Sequence, residues 1–370
     1  MGLKKIDHYL GVADRKVRLL SRLNPININL QRRRFLYAYA RGKEYNPFFC
    51  YKPAKPLSKL KRALSSLRIK IPAAKDEQWF FSRHLESKRR RTLKKIQCIQ
   101  NIGSKKFGKY SVRLFGAPSA SQVKYAEGQF DDTSRAVFLK ITDTIGDAEA
   151  AKILQQYATD HLLPWKIKLR KNISSKAGLD SRSKYLLIKT GERFAPGELA
   201  SLAVHEIETH IFRKENGALQ RLPSLFGGGF AGPPTTEEGL AFFNEALGQH
   251  DPRRILLVAA RTIAARLACK HSFYGVFHNL DALGLPLPYA WNVTVRVKRG
   301  LSDTSKAGSF TKDHHYLKGY LEVKNFLDKG GDMRLLYMGK LNISNAESLA
   351  KFGIEIKEPR YLPTHLKNVG

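Results

Sequence analysis

Six consecutive residues, His205-Glu206-Ile207-Glu208-Thr209-His210, carry two imidazoles and two carboxylates. Aliphatic residues surround them, from Leu199 through Val204 on one side and at Ile211-Phe212 on the other. Titratable groups buried in such a helix need compensation, and a metal ion supplies it. Zinc proteases use H-E-x-x-H, in which the two histidines share a helix face and the glutamate acts as general base. Here one more residue separates the histidines. On a regular α-helix, residues five apart point about 140° away from one another, so His205 and His210 would not reach one ion. The spacing therefore predicts a π-bulge or local widening around Ile207 to Thr209, where i to i+5 bonding brings both onto one face.

A third ligand is expected downstream. Thr235-Thr236-Glu237-Glu238-Gly239-Leu240-Ala241 opens another helix. Thr235 and Glu238 have capping-box spacing, so an ordinary helix start competes with a ligand role. Both Glu237 and Glu238 are candidates. Two histidines, one glutamate and an open fourth position make a catalytic Zn2+ site, with Glu206 as the base that takes a proton from water. The glycine-rich loop 226–234 before this helix lacks the Lys and Ser/Thr of a P-loop, and reads as a flexible rim or return. Further on, Lys312-Asp313-His314-His315-Tyr316 gathers groups able to bind a substrate carboxylate or face an oxyanion.

The elements that position these residues follow from periodicity. Helices are expected at 14–23, 29–41, 79–100, 143–163 and 254–268. The basic run at 88–95 reads as a solvated helix face. Residues 45–53, rich in Pro and aromatics, read as an extended segment. Alternation at 165–170 predicts a half-buried strand, 185–190 reads as a second one after the turn-like 174–183, and strand-like alternation at 291–300 predicts a third. An exposed sheet edge beside the metal helix would let an extended peptide add itself as a strand. The expected fold is α+β, with a basic, mostly helical region over 1–130 and a catalytic region over 131–370.

The chain of 370 residues carries 65 Lys+Arg against 32 Asp+Glu, formally +33. Such a field attracts nucleic acid or acidic polypeptides. Cys50, Cys98 and Cys269 form neither a disulfide framework nor a metal knuckle. With no apolar leader and no membrane-length apolar run, the expectation is a cytoplasmic protein.

These motifs, with Arg213, Asn216-Gly217, Asn46-Pro47-Phe48-Phe49-Cys50-Tyr51, Arg296-Val297-Lys298-Arg299-Gly300 and Phe310-Thr311-Lys312-Asp313, resemble the DUF1704 family. That family contains eukaryotic microtubule-associated tyrosine carboxypeptidases and bacterial "QEGLA motif" proteins. The resemblance implies a gluzincin-like zinc metallopeptidase with metal on His205, His210 and Glu238 and Glu206 as catalytic base. It favours Glu238 over Glu237, because the preceding position is Gln in the bacterial motif. The expected substrate is a peptide or protein C-terminal tail of acidic or aromatic character. Arg213, Arg296, Arg299 and Lys312 are the candidate substrate contacts, with Tyr316 or His315 at the oxyanion. The alternative is a basic nucleic-acid-binding or regulatory protein with a structural metal.

Overall fold

Burial, more than charge, organises the basic N-terminal region. The computed structural model describes residues 2–53, 56–139, 144–171, 173, 175–230 and 234–367. Asp143, Ser174, the middle of the glycine-rich loop and the last three residues of the basic tail, all assigned from sequence, lie outside these. The first helix runs Leu3–Val17, well before the expected start at Asp14, because Ile6, Leu10, Ala13 and Val17 already set its buried stripe. The next, Ile28–Tyr39, falls close to expectation. The long basic helix is Glu77–Gln100, begun by Asp76, whose carboxylate accepts from the Trp79 amide.

Its face is less wet than expected. Lys88 is buried and donates to the Ser224 carbonyl oxygen. Arg89 grips both oxygens of Glu86 at 2.7 Å and donates to the Leu64 carbonyl oxygen. Arg90 and Lys94 remain exposed. Several charges in this run therefore fasten helices together. The segment before it is extended as expected, with Phe48 bridging Asp303 and the Tyr51 hydroxyl accepting from the Gly300 amide.

The architecture is α+β and mostly helical, with two small sheets. Strands β1 (Ile145–Gly146) and β5 (Arg193–Phe194) form an antiparallel pair. In the three-stranded sheet, β4 (Tyr185–Lys189) lies between β2 (Lys166–Arg170), parallel to it, and β3 (Ala177–Asp180), antiparallel. Ile167 pairs with Leu186 and Leu169 with Ile188. Trp165, Leu186 and Ile188 join one core with Ile207, Ile211 and Phe212 of the histidine helix. Each such side chain contributes about 1.5–3 kcal/mol by leaving water, and together they fix the histidine helix against the sheet.

The strand expected at 291–300 is instead the helix Leu287–Lys298, with Pro288 in its first turn. Its alternation misled because two of its polar positions, Thr294 and Lys298, are buried too. The Thr294 hydroxyl donates to the Ala290 carbonyl oxygen, and the Lys298 amine donates to the His271 and Lys306 carbonyl oxygens. A helix buried over most of its surface leaves a weak amphipathic signature.

Two glycines set the closest helix approach near the site. A Cβ on Gly239, in helix Thr235–Gly248, would lie 2.0 Å from the Gly319 carbonyl carbon in helix His315–Asp328. A Cβ on Gly319 would lie 1.9 Å from the Thr235 oxygen. Gly239→Ala or Gly319→Ala should lower the thermal unfolding midpoint, since overpacking costs about 1–3 kcal/mol. Gly128→Ala, where the added carbon meets only ordinary 3.6 Å contacts, should stay within about 0.5 kcal/mol.

The half-buried imidazole of His84 gives a pH prediction. It lies between the Phe80 and Phe230 rings, with centroids 4.4 and 5.1 Å away, and burial lowers its pKa from 6.5 to about 4. Between those values the unfolded chain takes a proton that the folded chain refuses, so stability falls as pH falls. The loss reaches about 3 kcal/mol near pH 4. Thermal midpoints at pH 7 and 5 should therefore diverge more in the wild type than in His84→Phe; equal divergence would refute the assignment.

Candidate metal centre

The histidine motif lies on a π-helix, Ala203–Ile211, continuous with α-helical turns on both sides, as the five-residue spacing requires. His205 and His210 are both buried, and their Nε2 atoms lie 3.2 Å apart. Glu238 approaches from helix Thr235–Gly248, with Oε2 4.0 Å from His205 Nε2 and 3.9 Å from His210 Nε2. One ligand atom from each of these residues falls within 4.8 Å of the other two.

The outer nitrogens are anchored as well. His205 Nδ1 meets Glu245 Oε1 at 2.5 Å, and His210 Nδ1 meets Glu237 Oε1 at 2.7 Å. Glu245 is held by Arg254, and Glu237 by Arg213 and by Lys340 at 2.6 Å. With each Nδ1 proton directed to a carboxylate, both Nε2 atoms turn lone pairs toward one point. At that distance the two Nε2 atoms can share either a proton or a metal ion. Two nitrogens on a tetrahedral zinc stand about 3.3 Å apart, so the donor set fits that ion.

Charge reinforces the arrangement. Burial alone would raise the pKa of Glu238, but Lys312 and the two histidines bring it to about 2. Glu245 is likewise brought to about 2, against burial, by Arg254 and His205. Burial would lower the pKa of His205, and Glu245 more than offsets this. The carboxylates are therefore ionised at neutral pH, the form that binds metal.

The two motif glutamates separate. Glu208 is buried and accepts from the Tyr157 and Thr364 hydroxyls at 2.8 Å, which ties the helix to its surroundings. Glu206 is half-buried and makes no hydrogen bond or ion pair among the described residues. It is the free carboxylate of the pair.

The capping-box reading of Glu238 fails: Pro234 caps that helix without a side-chain bond, and Thr235 Oγ1 pairs instead with His315 Nδ1 at 2.9 Å. His315 is fully buried, its pKa lowered to about 2 by burial, and it does not reach open space. Arg213, expected at a substrate, is also fully buried, donating to Glu237 and to the Leu336 and Leu341 carbonyl oxygens. Arg296 pairs with Asp313 at 2.5 Å. Arg299 is buried, with its guanidinium over the Phe310 ring.

Lys312 does reach the centre, but as a partner of Glu238 Oε1 at 2.6 Å. It turns the other oxygen toward the histidines. The Tyr316 ring stacks on His205, with centroids 6.1 Å apart. Burial and Glu238 raise the Tyr316 pKa, so its hydroxyl keeps the proton.

Sequence reasoning missed Glu245, Arg254 and Lys340. A signal for Glu245 existed: it follows Glu238 by seven residues, about two turns, and so shares its face.

A family sequence model described as microtubule-associated tyrosine carboxypeptidase matches residues 34–370. The human and rat proteins named microtubule-associated tyrosine carboxypeptidase 1 are each 32% identical over 162 residues, which is 42% of this chain and 34% of theirs. The mouse counterpart is 31% identical over the same length. The matched stretch thus spans about a third of these relatives. Because the family match extends over nearly the whole chain, this protein belongs to the microtubule-associated tyrosine carboxypeptidase family, which is also the DUF1704 family that its motifs resemble.

Proposed function

We propose that this chain is a zinc-dependent metallopeptidase of the carboxypeptidase type, acting on the C-terminal tail of a peptide or protein. The observation that carries this reading is the convergence of two imidazole nitrogens and one glutamate oxygen beside an uncommitted carboxylate, Glu206. The relatives' names, which specify tyrosine carboxypeptidases, support a C-terminal residue as the leaving group. Two histidines on one helix and the third ligand on a later one support a gluzincin-like core within 131–370, with 1–130 as its basic helical flank.

Zinc held by His205, His210 and Glu238 would supply Lewis acidity toward a peptide carbonyl and toward water. Glu206 takes the proton of the attacking water and delivers it to the leaving amine. Tyr316, still protonated, donates its hydroxyl to the developing oxyanion. Lys312 keeps Glu238 oriented. The β2 edge offers backbone groups to an extended substrate, and the basic surface attracts acidic tails over distance.

Purified protein should retain about one zinc per chain, and a preparation with no bound metal would sink the reading. Glu206→Gln should keep the metal yet lose about 10²–10⁴-fold in release of a C-terminal residue. His210→Ala should lose both. Steeply salt-dependent RNA or DNA binding, unchanged by His205→Ala, would favour the nucleic-acid reading.

The outer carboxylates give a separate test. Glu245→Gln and Glu237→Gln should each weaken zinc by about 10–100-fold in chelator competition. Unchanged zinc affinity would mean that these contacts serve folding alone.

A further inference from the structure

Around Tyr316, cations outnumber their partners. Arg254 is committed to Glu245, Lys312 to Glu238 and Arg296 to Asp313. Arg299 lies buried beside Phe310. Among the described residues around the site two guanidinium groups are left without an ion pair, each with its Nε buried and unpartnered: Arg299, enclosed in the core, and Arg261, half-buried on the helix Arg253–Ala268. Sequence patterning assigned this helix to scaffold.

Arg261 makes no hydrogen bond or ion pair among the described residues, and its Nε is buried without a partner. Its guanidinium carbon lies 5.5 Å from the centre of the Tyr316 ring, the ring that stacks on His205. The residue as a whole is half-buried, so it is not sealed in the core. Burial first, then the like charges of Arg296 and Arg254, bring its pKa down to about 10; Asp313 favours its charge from a distance but is hydrogen-bonded to Arg296 instead. A desolvated guanidinium, crowded by like charges and lacking a carboxylate, is unfavourable on its own. A bound anion would relieve all three conditions at once.

The geometry limits which anion fits. In a C-terminal residue the carboxylate is one residue beyond the scissile carbonyl, and successive Cα atoms lie about 3.8 Å apart. The group that holds it must therefore stand close to the metal ligands. Arg261 is one ring removed from His205, whereas Arg213 and Arg299 are buried and Arg296 and Lys312 are occupied. A guanidinium also binds a carboxylate through two parallel hydrogen bonds, which fixes the direction of the chain end.

We propose that Arg261 is the residue that binds the C-terminal carboxylate of the substrate, and so restricts this site to free chain ends. This rests on the peptidase reading, yet it makes a claim about binding that can be read without turnover.

The test uses zinc-loaded full-length Glu206→Gln protein, with Arg261 intact or replaced, and a fluorescent acidic peptide ending in tyrosine. The peptide is supplied as the free acid, as the C-terminal amide, and as the free acid with its penultimate Glu changed to Gln. With Arg261 intact, the free acid should bind about 10–100-fold more tightly than the amide, as expected for a charge-assisted pair. The penultimate change should leave that ratio intact. Arg261→Gln should abolish the ratio, and Arg261→Lys should retain part of it.

The thermal midpoint separates this role from a structural one. Removing a crowded, unpaired cation should leave the midpoint unchanged or raised, whereas loss of a folding contact would lower it. Equal binding of acid and amide with Arg261 intact overturns the proposal. So does a ratio that survives Arg261→Gln, or one that follows the penultimate side chain. If the acid-to-amide ratio holds but the wild-type enzyme releases no residue, the peptidase reading fails and the carboxylate site stands.

Discussion

The structure around the centre depends on bringing two imidazole nitrogens to 3.2 Å in a buried place. Nothing in an α-helix would do this at five-residue spacing, so the backbone adopts i to i+5 bonding over Ala203–Ile211. Such a helix is weaker than its α-helical neighbours and must be braced. The bracing is visible on several sides. Thr209 Oγ1 donates to the Val204 carbonyl oxygen at 3.1 Å, and Asn244 donates to Thr209 Oγ1 and to the Tyr337 hydroxyl. Glu208 ties the same turn to Tyr157 and Thr364. The apolar side chains of Ile207 and Ile211 pack into the core that also holds the sheet.

A second constraint follows from the first. Both imidazoles need their outer nitrogens fixed, and one helix supplies the carboxylates for both, Glu237 for His210 and Glu245 for His205. The same helix presents Glu238 between them. Three roles on one rigid element demand accurate placement against the histidines and against Lys312 and Tyr316 on the other side. The Gly239–Gly319 contact provides it by bringing the two backbones together where any side chain would hold them apart. Arg213 belongs to this scheme. Its guanidinium joins Glu237 to the Leu336 and Leu341 carbonyl oxygens, linking the centre to the C-terminal helices.

The histidine spacing was legible in the sequence because it is incompatible with a regular helix, and incompatibility is informative. The short strand at 166–170 was legible from its alternation of apolar and basic residues, and that at 185–189 from a short apolar run whose Leu186 and Ile188 are buried. Helix Leu287–Lys298 was not, because burying Thr294 and Lys298 on backbone carbonyl groups removes the contrast that periodicity needs. Arg213 and His315 were chosen for their chemistry, but only the fold reveals that both are enclosed. Glu245 was overlooked because its spacing of two turns from Glu238 says only that the two share a face; its role comes from His205, forty positions earlier in the chain.

Why the fold keeps so many cations around Tyr316 can be argued from the carboxylates they face. Glu238, Glu245 and Asp313 are all buried and all ionised. A buried carboxylate is stabilised by a cation or by several hydrogen bonds, as Glu208 is by two hydroxyls, and the three carboxylates near Tyr316 draw Arg and Lys around them. Structural need alone predicts equal numbers. Arg254, Arg296 and Lys312 meet that need one for one. Arg261 and Arg299 exceed it, and Arg299 shares the field of Asp313 from within the core. Arg261 is left half-buried at the ring beside His205, at an energetic cost that folding does not require. Unfavourable charge retained at a site is a common mark of function, and here its sign is that of a group awaiting an anion.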